Sequence, residues 1–133
     1  MANYCATARS NYFKVKDLEK FKKEMQDYAV EVVERDGLVA LMSDDPDGAG
    51  WNFYVYDEES DDYIDNSAEE IIAPHLADGW VCVLQETGSE KLRYLIGYAL
   101  AFNNKGEAVS VNLDDIYQMV QDKGMGEVTT ASY

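Results

Sequence analysis

The chain of 133 residues carries 26 Asp and Glu against 11 Lys and Arg, a formal net charge of −15. This length suits one domain over residues 1–133, and a hydrophobic content of 47% excludes a disordered acidic tail. Residues 36–90 hold fifteen acids and no Lys or Arg, whereas residues 1–35 sum to +1 and residues 91–133 to −1; this charge excludes nucleic acid and anionic membranes as direct partners.

The first third of the chain predicts a strand, a helix and a hairpin. Residues 3–15 have the composition of a strand, and Asp17 is placed to cap a helix over residues 18–28, whose apolar side chains recur every three or four residues. Two strands then flank Asp36 and Gly37, a dipeptide typical of a type I′ turn. The chain is therefore expected to begin β-α-β-β.

The middle of the chain predicts a further strand and a short helix. Residues 51–57 alternate apolar and polar side chains, as a strand does. Ser67 and Glu70 have the spacing of a capping box, so a helix is expected from Ala68. Pro74 cannot donate to a helical ladder, so that helix is expected to end, kink or restart there.

The last third predicts three strands and a helix. The strands are expected at residues 80–86, 91–102 and 107–111. Asn112 is placed to cap a helix over residues 113–122, and Gly124 is placed to end it. The tail, residues 125–133, is expected to be a short edge strand or flexible.

The resulting order, β-α-β-β-β-α-β-β-β-α, predicts an α+β fold in which an antiparallel twisted sheet carries about three helices on one face. There is no run of 18 apolar residues, and the first residues lack the charged-then-apolar layout of a signal peptide. A cytoplasmic protein without membrane contact is therefore expected.

Catalytic and metal chemistry find little support in the sequence. The one histidine, His75, has no partner base or second ligand near it, and Cys5 and Cys82 are expected as buried reduced thiols in strands. EF-hand loops that start at Asp45 or Asp57 lack the closing Glu. The protein is therefore expected to be no enzyme and to hold no cofactor, and a weak divalent-cation site remains as one alternative.

The densest run of acids is residues 57–65, with six acids in nine residues. It is either a solvated loop before a helix whose first turn favours negative charge, or a surface that imitates a nucleic-acid backbone, since duplex DNA carries a charge about every 1.7 Å. Repulsion within the run opposes the compact state without a structural return, which favours the second interpretation. The predicted partner-binding residues are the acids and tyrosines of this region: Asp44, Asp45, Asp47, Tyr54, Tyr56, Asp57, Glu58, Glu59, Asp61, Asp62, Tyr63, Asp65, Glu69 and Glu70.

Three stretches carry a resemblance to a known family: NYCATARSNYFKVKD at residues 3–17, EKLRYLIGYALAFNNKGE at residues 90–107, and the LxDIY pattern at residues 113–117. In these the chain resembles a widespread family of small acidic proteins of phages, plasmids and conjugative elements, which has no established activity to carry over. The resemblance implies a role similar to that of anti-restriction or anti-CRISPR inhibitors. Because these stretches lie outside the acidic run, they also favour a polar ligand site formed by Arg9, Asn11, Tyr12, Arg93 and Tyr94.

The sequence thus predicts a non-enzymatic module that binds a basic protein partner, such as a nuclease or a CRISPR effector, in the manner of a DNA mimic. It predicts no direct contact with nucleic acid. The alternatives are a small-ligand-binding domain that uses the polar site around Arg9, and the weak cation binder. The oligomeric state is left open.

Overall fold

A computed structural model describes residues 4–45, 48, 50–65, 67–90 and 94–131. The elements are β1 (Tyr4–Ser10), α1 (Leu18–Met25), β2 (Val30–Arg35), β3 (Leu38–Ser43), β4 (Tyr54–Asp57), β5 (Asp62–Asp65), α2 (Ala68–Ile72), β6 (Cys82–Glu90), β7 (Tyr94–Phe102), β8 (Ala108–Asn112) and α3 (Asp115–Asp122). This confirms the predicted α+β fold. The structure adds one strand that the sequence did not predict, because β5 lies inside the acidic run that was expected to be a loop.

The strands form two antiparallel sheets. The large sheet has six strands in the order β2-β3-β1-β6-β7-β8, and the small sheet consists of β4 and β5. In the large sheet β1 pairs with β6 over seven residues, from Tyr4 opposite Glu90 to Ser10 opposite Leu84. The two outer strands of the large sheet are therefore β2 and β8.

The core lies on one face of the large sheet, where α1 and α2 cover it. Its buried side chains come from both helices, from the strands and from the segment before β4: Phe13, Phe21, Met25, Val39, Leu41, Phe53, Ile71, Ile72, Leu76, Cys82, Leu84 and Phe102. The helix α1 begins as predicted, since the side chain of Asp17 accepts a hydrogen bond from the backbone N–H of Lys20 at 3.1 Å. Burial of this apolar set is the main force that holds the sheet and the two helices together.

The turns follow the sequence signals in part. Asp36 and Gly37 have φ of 53° and 80°, as the predicted type I′ turn requires. Ser67 is the residue before α2, but its side chain makes no capping hydrogen bond. The capping-box pattern therefore predicted correctly where the helix begins, but its side-chain hydrogen bond is not formed. Pro74 lies in a 3₁₀ turn over Ala73–His75 that continues α2, in line with the predicted end or restart.

The C-terminal region packs least tightly. The helix α3 starts after Asp114 and not after the predicted cap Asn112, and none of its residues is buried. Residues 125–131 form no strand, and the backbone N–H of Ala131 donates to the hydroxyl of Tyr117 at 2.7 Å. Among the described residues no helix is long and apolar enough to cross a bilayer.

Candidate functional site

The acidic run is attached to the core through residues 50–53. Trp51 stacks on Phe53 with ring centroids 6.0 Å apart, and Phe53 lies 5.5 Å from the ring of Tyr28. The hydroxyl of Ser43 donates a hydrogen bond to the carbonyl of Gly50. The predicted strand over residues 51–57 is thus two different parts, a core-packed segment followed by the short strand β4.

A buried carboxylate fixes the start of this segment. Glu86 in β6 is 6% exposed, and its Oε1 accepts a hydrogen bond from the backbone N–H of Trp51 at 2.7 Å. The hydroxyl of Tyr98 also bonds to Glu86, and burial together with this carboxylate raises the pKa of Tyr98 to about 12. Glu86 therefore positions the acidic run and is not part of its exposed charge. The alternation of Cys82, Leu84 and Glu86 along β6 is the sequence signal that places this acid on the core face.

Beyond residue 53 the chain forms a two-stranded acidic ribbon, which is β4, β5 and the turn between them, residues 54–65. In its register Tyr54 is opposite Asp65, Tyr56 is opposite Tyr63, and Asp57 is opposite Asp62. Asp61 takes a left-handed φ of 54° in the turn, a conformation that Asp tolerates better than most residues. The ribbon is a sheet of its own and does not join the large sheet.

The ribbon presents aromatic and acidic side chains to solvent. Tyr54 is 52% exposed and Tyr63 is 66% exposed, and their register places both on the same face of the ribbon. Glu58, Glu59 and Asp62 are exposed as well. Exposed tyrosines beside charge are a common composition of protein-binding surfaces.

One acid of the ribbon also supports its turn. Asp57 is half-buried, and its Oδ1 accepts a hydrogen bond from the backbone N–H of Glu59 at 3.3 Å. Asp57 and Asp62 nevertheless stand directly opposite each other, an arrangement of like charges that destabilises a strand pair. The ribbon therefore keeps a charge density that its own folding does not need.

The other predicted acids divide into different surroundings. Asp44 is exposed, whereas Asp45 accepts a hydrogen bond from the side-chain amide of Asn52 at 3.0 Å and so helps to hold residues 50–53. Glu69 and Glu70 lie in the first turn of α2, and both line a cavity of about 450 Å³ that Lys16 also lines. These two glutamates therefore share a cavity with a lysine, whereas residues 54–65 contain no basic residue.

Some predicted residues can be placed by their backbone alone or not at all. Tyr56 lies in β4, Asp65 in β5 and Tyr94 in β7. Asp47 and Arg93 lie outside the described residues. Of the predicted partner-binding residues, the structure therefore brings together those of the acidic ribbon, with Asp44 and Asp45 before it in the chain.

The alternative polar site is brought together around Tyr12. The guanidinium carbon of Arg9 lies 5.9 Å from the centroid of the Tyr12 ring, and that of Arg35 lies 5.4 Å from it. Asn11 has a structural role, because its Nδ2 donates to the carbonyl of Val81 at 3.0 Å and its Oδ1 accepts from the N–H of Val83 at 2.8 Å. Sequence patterning missed Arg35 as a neighbour of this group, since the pairing of β2, β3 and β1 alone brings it there.

Arg9 also stands at an open groove of about 400 Å³ on the face of the sheet opposite the core. The strand register puts most of its lining residues on that face, namely Thr7, Arg9, Gln85, Thr87, Gly97, Ala99 and Val111. Leu113 and the intervening strand positions Glu86, Tyr98 and Asn112 complete the lining. Gly97 and Ala99 make its floor low, and Leu113 lies over Gly97, where an added Cβ would be 3.0 Å from the leucine side chain. The groove combines one cation with a small apolar floor.

Metal-binding geometry is absent from the part of the chain that the structure describes, where no group of three or more His, Cys, Asp or Glu side chains could hold an ion. His75 has a structural neighbour, since its Nε2 lies 2.9 Å from Oε2 of Glu24. Its ring also packs edge-on against Phe21 at 5.4 Å. His75 therefore connects α1 to the turn after α2.

Comparison of the chain with protein-family models, with curated proteins and with solved structures finds no match.

Proposed function

We propose that the protein binds the basic surface of a partner protein through the acidic ribbon, residues 54–65. The partner class that this surface suits is a nucleic-acid-handling defence enzyme of the restriction or CRISPR type in the cytoplasm, and the protein would act as a DNA-mimic inhibitor. The carrying observation is that the ribbon is a separate sheet that exposes acids, and that its two exposed tyrosines, Tyr54 and Tyr63, share one face. The origin of the chain in a mobile element is part of this proposal.

The charge density of the ribbon supports the comparison with DNA. Residues 54–65 contain six acids and no base. Two four-residue strands and their turn extend over roughly 15–20 Å at about 3.3 Å per residue, so the six carboxylates recur about every 2.5–3.3 Å along the ribbon. Duplex DNA carries a charge about every 1.7 Å. A cleft that binds phosphate groups with Lys and Arg therefore meets a comparable series of anions.

The test measures the inhibition of purified restriction and CRISPR nucleases acting on duplex DNA. Wild-type protein is expected to inhibit at least one of them in competition with DNA, and inhibition should weaken as salt rises. A ribbon variant with Glu58→Gln, Glu59→Gln, Asp61→Asn and Asp62→Asn should bind at least about 30-fold more weakly, because four exposed charge pairs at about 0.5 kcal/mol each are lost.

A control variant that loses the same number of negative charges outside the ribbon distinguishes an effect of the ribbon from an effect of net charge. It carries Asp27→Asn, Glu31→Gln, Asp36→Asn and Glu127→Gln, all at exposed positions outside the ribbon, and it should inhibit like wild type. Equal inhibition by the ribbon variant, inhibition that DNA does not compete away, or no inhibition of any nuclease in the panel would each contradict the proposal.

A second candidate function rests on the groove beside Arg9. A cation at one end and the low apolar floor formed by Gly97 and Ala99 suit a small amphipathic anion, such as a carboxylate with a short apolar chain. Such anions should raise the melting temperature of wild type and not of Arg9→Gln, while Arg35→Gln, which lies outside the groove lining, keeps the effect. A carboxylate series that leaves the wild-type melting temperature unchanged would exclude this function.

A further inference from the structure

A cleft lies between α1, with the two residues before it, and α2 with its 3₁₀ turn. It consists of two cavities of about 420 Å³ and about 450 Å³. The cavities adjoin, because Lys16, Glu70 and Pro74 line both. Each volume lies in the range of small-molecule sites. The cleft shares no lining residue with the groove beside Arg9.

Backbone and side-chain contacts fix the walls of this cleft. The backbone N–H of Lys16 donates to the carbonyl of His75 at 2.8 Å. Two residues further along, the N–H of Ala77 donates to the carbonyl of Lys14 at 2.9 Å. Side chains join the same two walls, since Oε2 of Glu24 lies 2.9 Å from Nε2 of His75. A site whose walls are already in place loses less freedom when it binds a ligand.

The charged side chains that line the cleft fall into two groups. Asp17 and Glu24 are engaged, because Asp17 accepts from the backbone N–H of Lys20 and Glu24 contacts His75. Within the described part of the chain, the remaining four form no ion pair: Lys16, Lys20, Glu69 and Glu70. Two lysines and two glutamates thus face one cleft without neutralising each other.

The balance of these four charges indicates the class of ligand. A simple anion that the lysines attract would also meet the two glutamates, and a simple cation would also meet the two lysines. A ligand that carries both charges satisfies both, because each of its charged groups finds side chains of the opposite sign. Ile71, which is 7% exposed, and Pro74 add an apolar wall for a small side chain.

We propose that the cleft binds a small zwitterion of the α-amino acid class. Its carboxylate lies toward Lys16 and Lys20, and its ammonium group lies toward Glu69 and Glu70. The ligand bridges α1 and α2 through charge-assisted hydrogen bonds, so it stabilises the folded chain by mass action. This binding is independent of the proposed function of the acidic ribbon.

The first test adds glycine, alanine, leucine, glutamate or lysine as free amino acids at millimolar concentrations. At least one of them should give a heat of binding in calorimetry and raise the melting temperature. The methyl ester of that amino acid lacks the carboxylate, and its N-acetyl derivative lacks the ammonium group. Each derivative should bind at least about tenfold more weakly, which tests both charges on the unaltered chain.

The second test changes the cleft. Lys20→Gln and Glu70→Gln each remove one charge at an exposed position and should raise the dissociation constant at least about threefold. The matched controls are Lys23→Gln and Glu19→Gln. They remove the same charges from exposed positions of α1 that do not line the cleft, and they should bind like wild type.

Three results would overturn this assignment. These are a panel in which no amino acid binds, single-charge derivatives that bind as tightly as the zwitterion, and cleft variants that bind like wild type. An equal loss of binding in the control variants would also contradict it, since net charge and not the cleft would then account for the effect.

Discussion

The carboxylate of Glu86 and the backbone N–H of Trp51 are joined by a hydrogen bond of 2.7 Å at the point where the acidic region leaves the core. The contact is possible because Gly50, the residue before Trp51, has no side chain, and a Cβ built there would overlap the Glu86 carboxylate. Gly50 has a φ of +84°, a left-handed conformation that favours glycine. One buried acid and one glycine thus determine where the ribbon begins.

Gly50→Ala is therefore expected to destabilise the protein more than an alanine at an open left-handed glycine. Gly79 is the matched control, because its φ is +81° and no atom lies within 4 Å of an added Cβ. Gly79→Ala should lower the free energy of unfolding by about 1–2 kcal/mol through backbone strain. Gly50→Ala should lower it by about 1–3 kcal/mol more, since the buried carboxylate also loses its hydrogen bond. Equal losses in urea denaturation would show that the Glu86 contact contributes nothing.

The two helix N-termini predict different responses to alanine. Asp17 accepts a hydrogen bond from the N–H of Lys20, whereas Ser67 makes no side-chain capping bond. Asp17→Ala should lower the free energy of unfolding by about 1 kcal/mol, and Ser67→Ala by less than about half of that. Both values come from chemical denaturation of the two variants beside wild type. A larger loss for Ser67→Ala would mean that the capping box forms in solution after all.

Cys82 predicts a loss of stability at alkaline pH. Burial raises the pKa of its thiol from 9.0 to about 12. Between these values the unfolded chain loses the thiol proton and the folded chain keeps it, so the free energy of unfolding falls as pH rises, by up to about 4 kcal/mol. Under reducing conditions Cys82→Ala should flatten the pH dependence between pH 9 and 12.

The expectation of a buried thiol is wrong for Cys5, which is exposed although it lies in β1. Cys5 is therefore the control for this titration. Cys5→Ala should leave the slope of stability against pH as in wild type. The raised pKa of Tyr98 acts in the same direction and is present in both variants, so the difference between them isolates Cys82. An unchanged slope in Cys82→Ala would indicate that the thiol is not buried in the folded protein.

The pair Asp57 and Asp62 predicts that repulsion weakens the ribbon. Asp62→Asn removes one of two carboxylates that stand opposite each other and should stabilise the strand pair by about 0.2–1 kcal/mol. Hydrogen-exchange protection of the ribbon amides should rise by about 1.5- to 5-fold accordingly. Glu59→Gln has the same charge change in the turn, without a directly opposite acid, and should have a smaller effect. Protection that is unchanged or lower in Asp62→Asn would contradict this account.

The fold class followed from patterns that act locally. Apolar spacing, the Asp17 cap and the Asp36-Gly37 turn each specify structure within a few residues, and the structure confirms them. The strand β5 did not follow, because Asp-rich sequence disfavours strands and pairing with β4 overrides that preference. Local propensity thus predicted the large sheet better than the ribbon.

The sequence predicted where the charge of the candidate site lies, but not which residues its side chains contact. Fifteen acids in one window marked the region, but sequence treated Glu86 as one charge among them although it is buried. Likewise Asn11 was expected beside a ligand, and its amide instead bonds to the backbone at Val81 and Val83. Both contacts depend on how distant segments of the chain pack together. Glu86 is 35 positions from Trp51, and Asn11 is 70 positions from Val81.

The ribbon's separation from the large sheet has a consequence for how the protein can evolve. Residues 50–53 are fixed by Glu86, Ser43 and the core aromatic rings, so substitutions there are costly. Residues 54–65 form their own sheet, and a change in the exposed side chains of Tyr54, Tyr63 and residues 58–62 leaves the core as it was. New acidic or aromatic sequences can therefore be tried in the ribbon as a partner's surface drifts, on a scaffold that need not change with them.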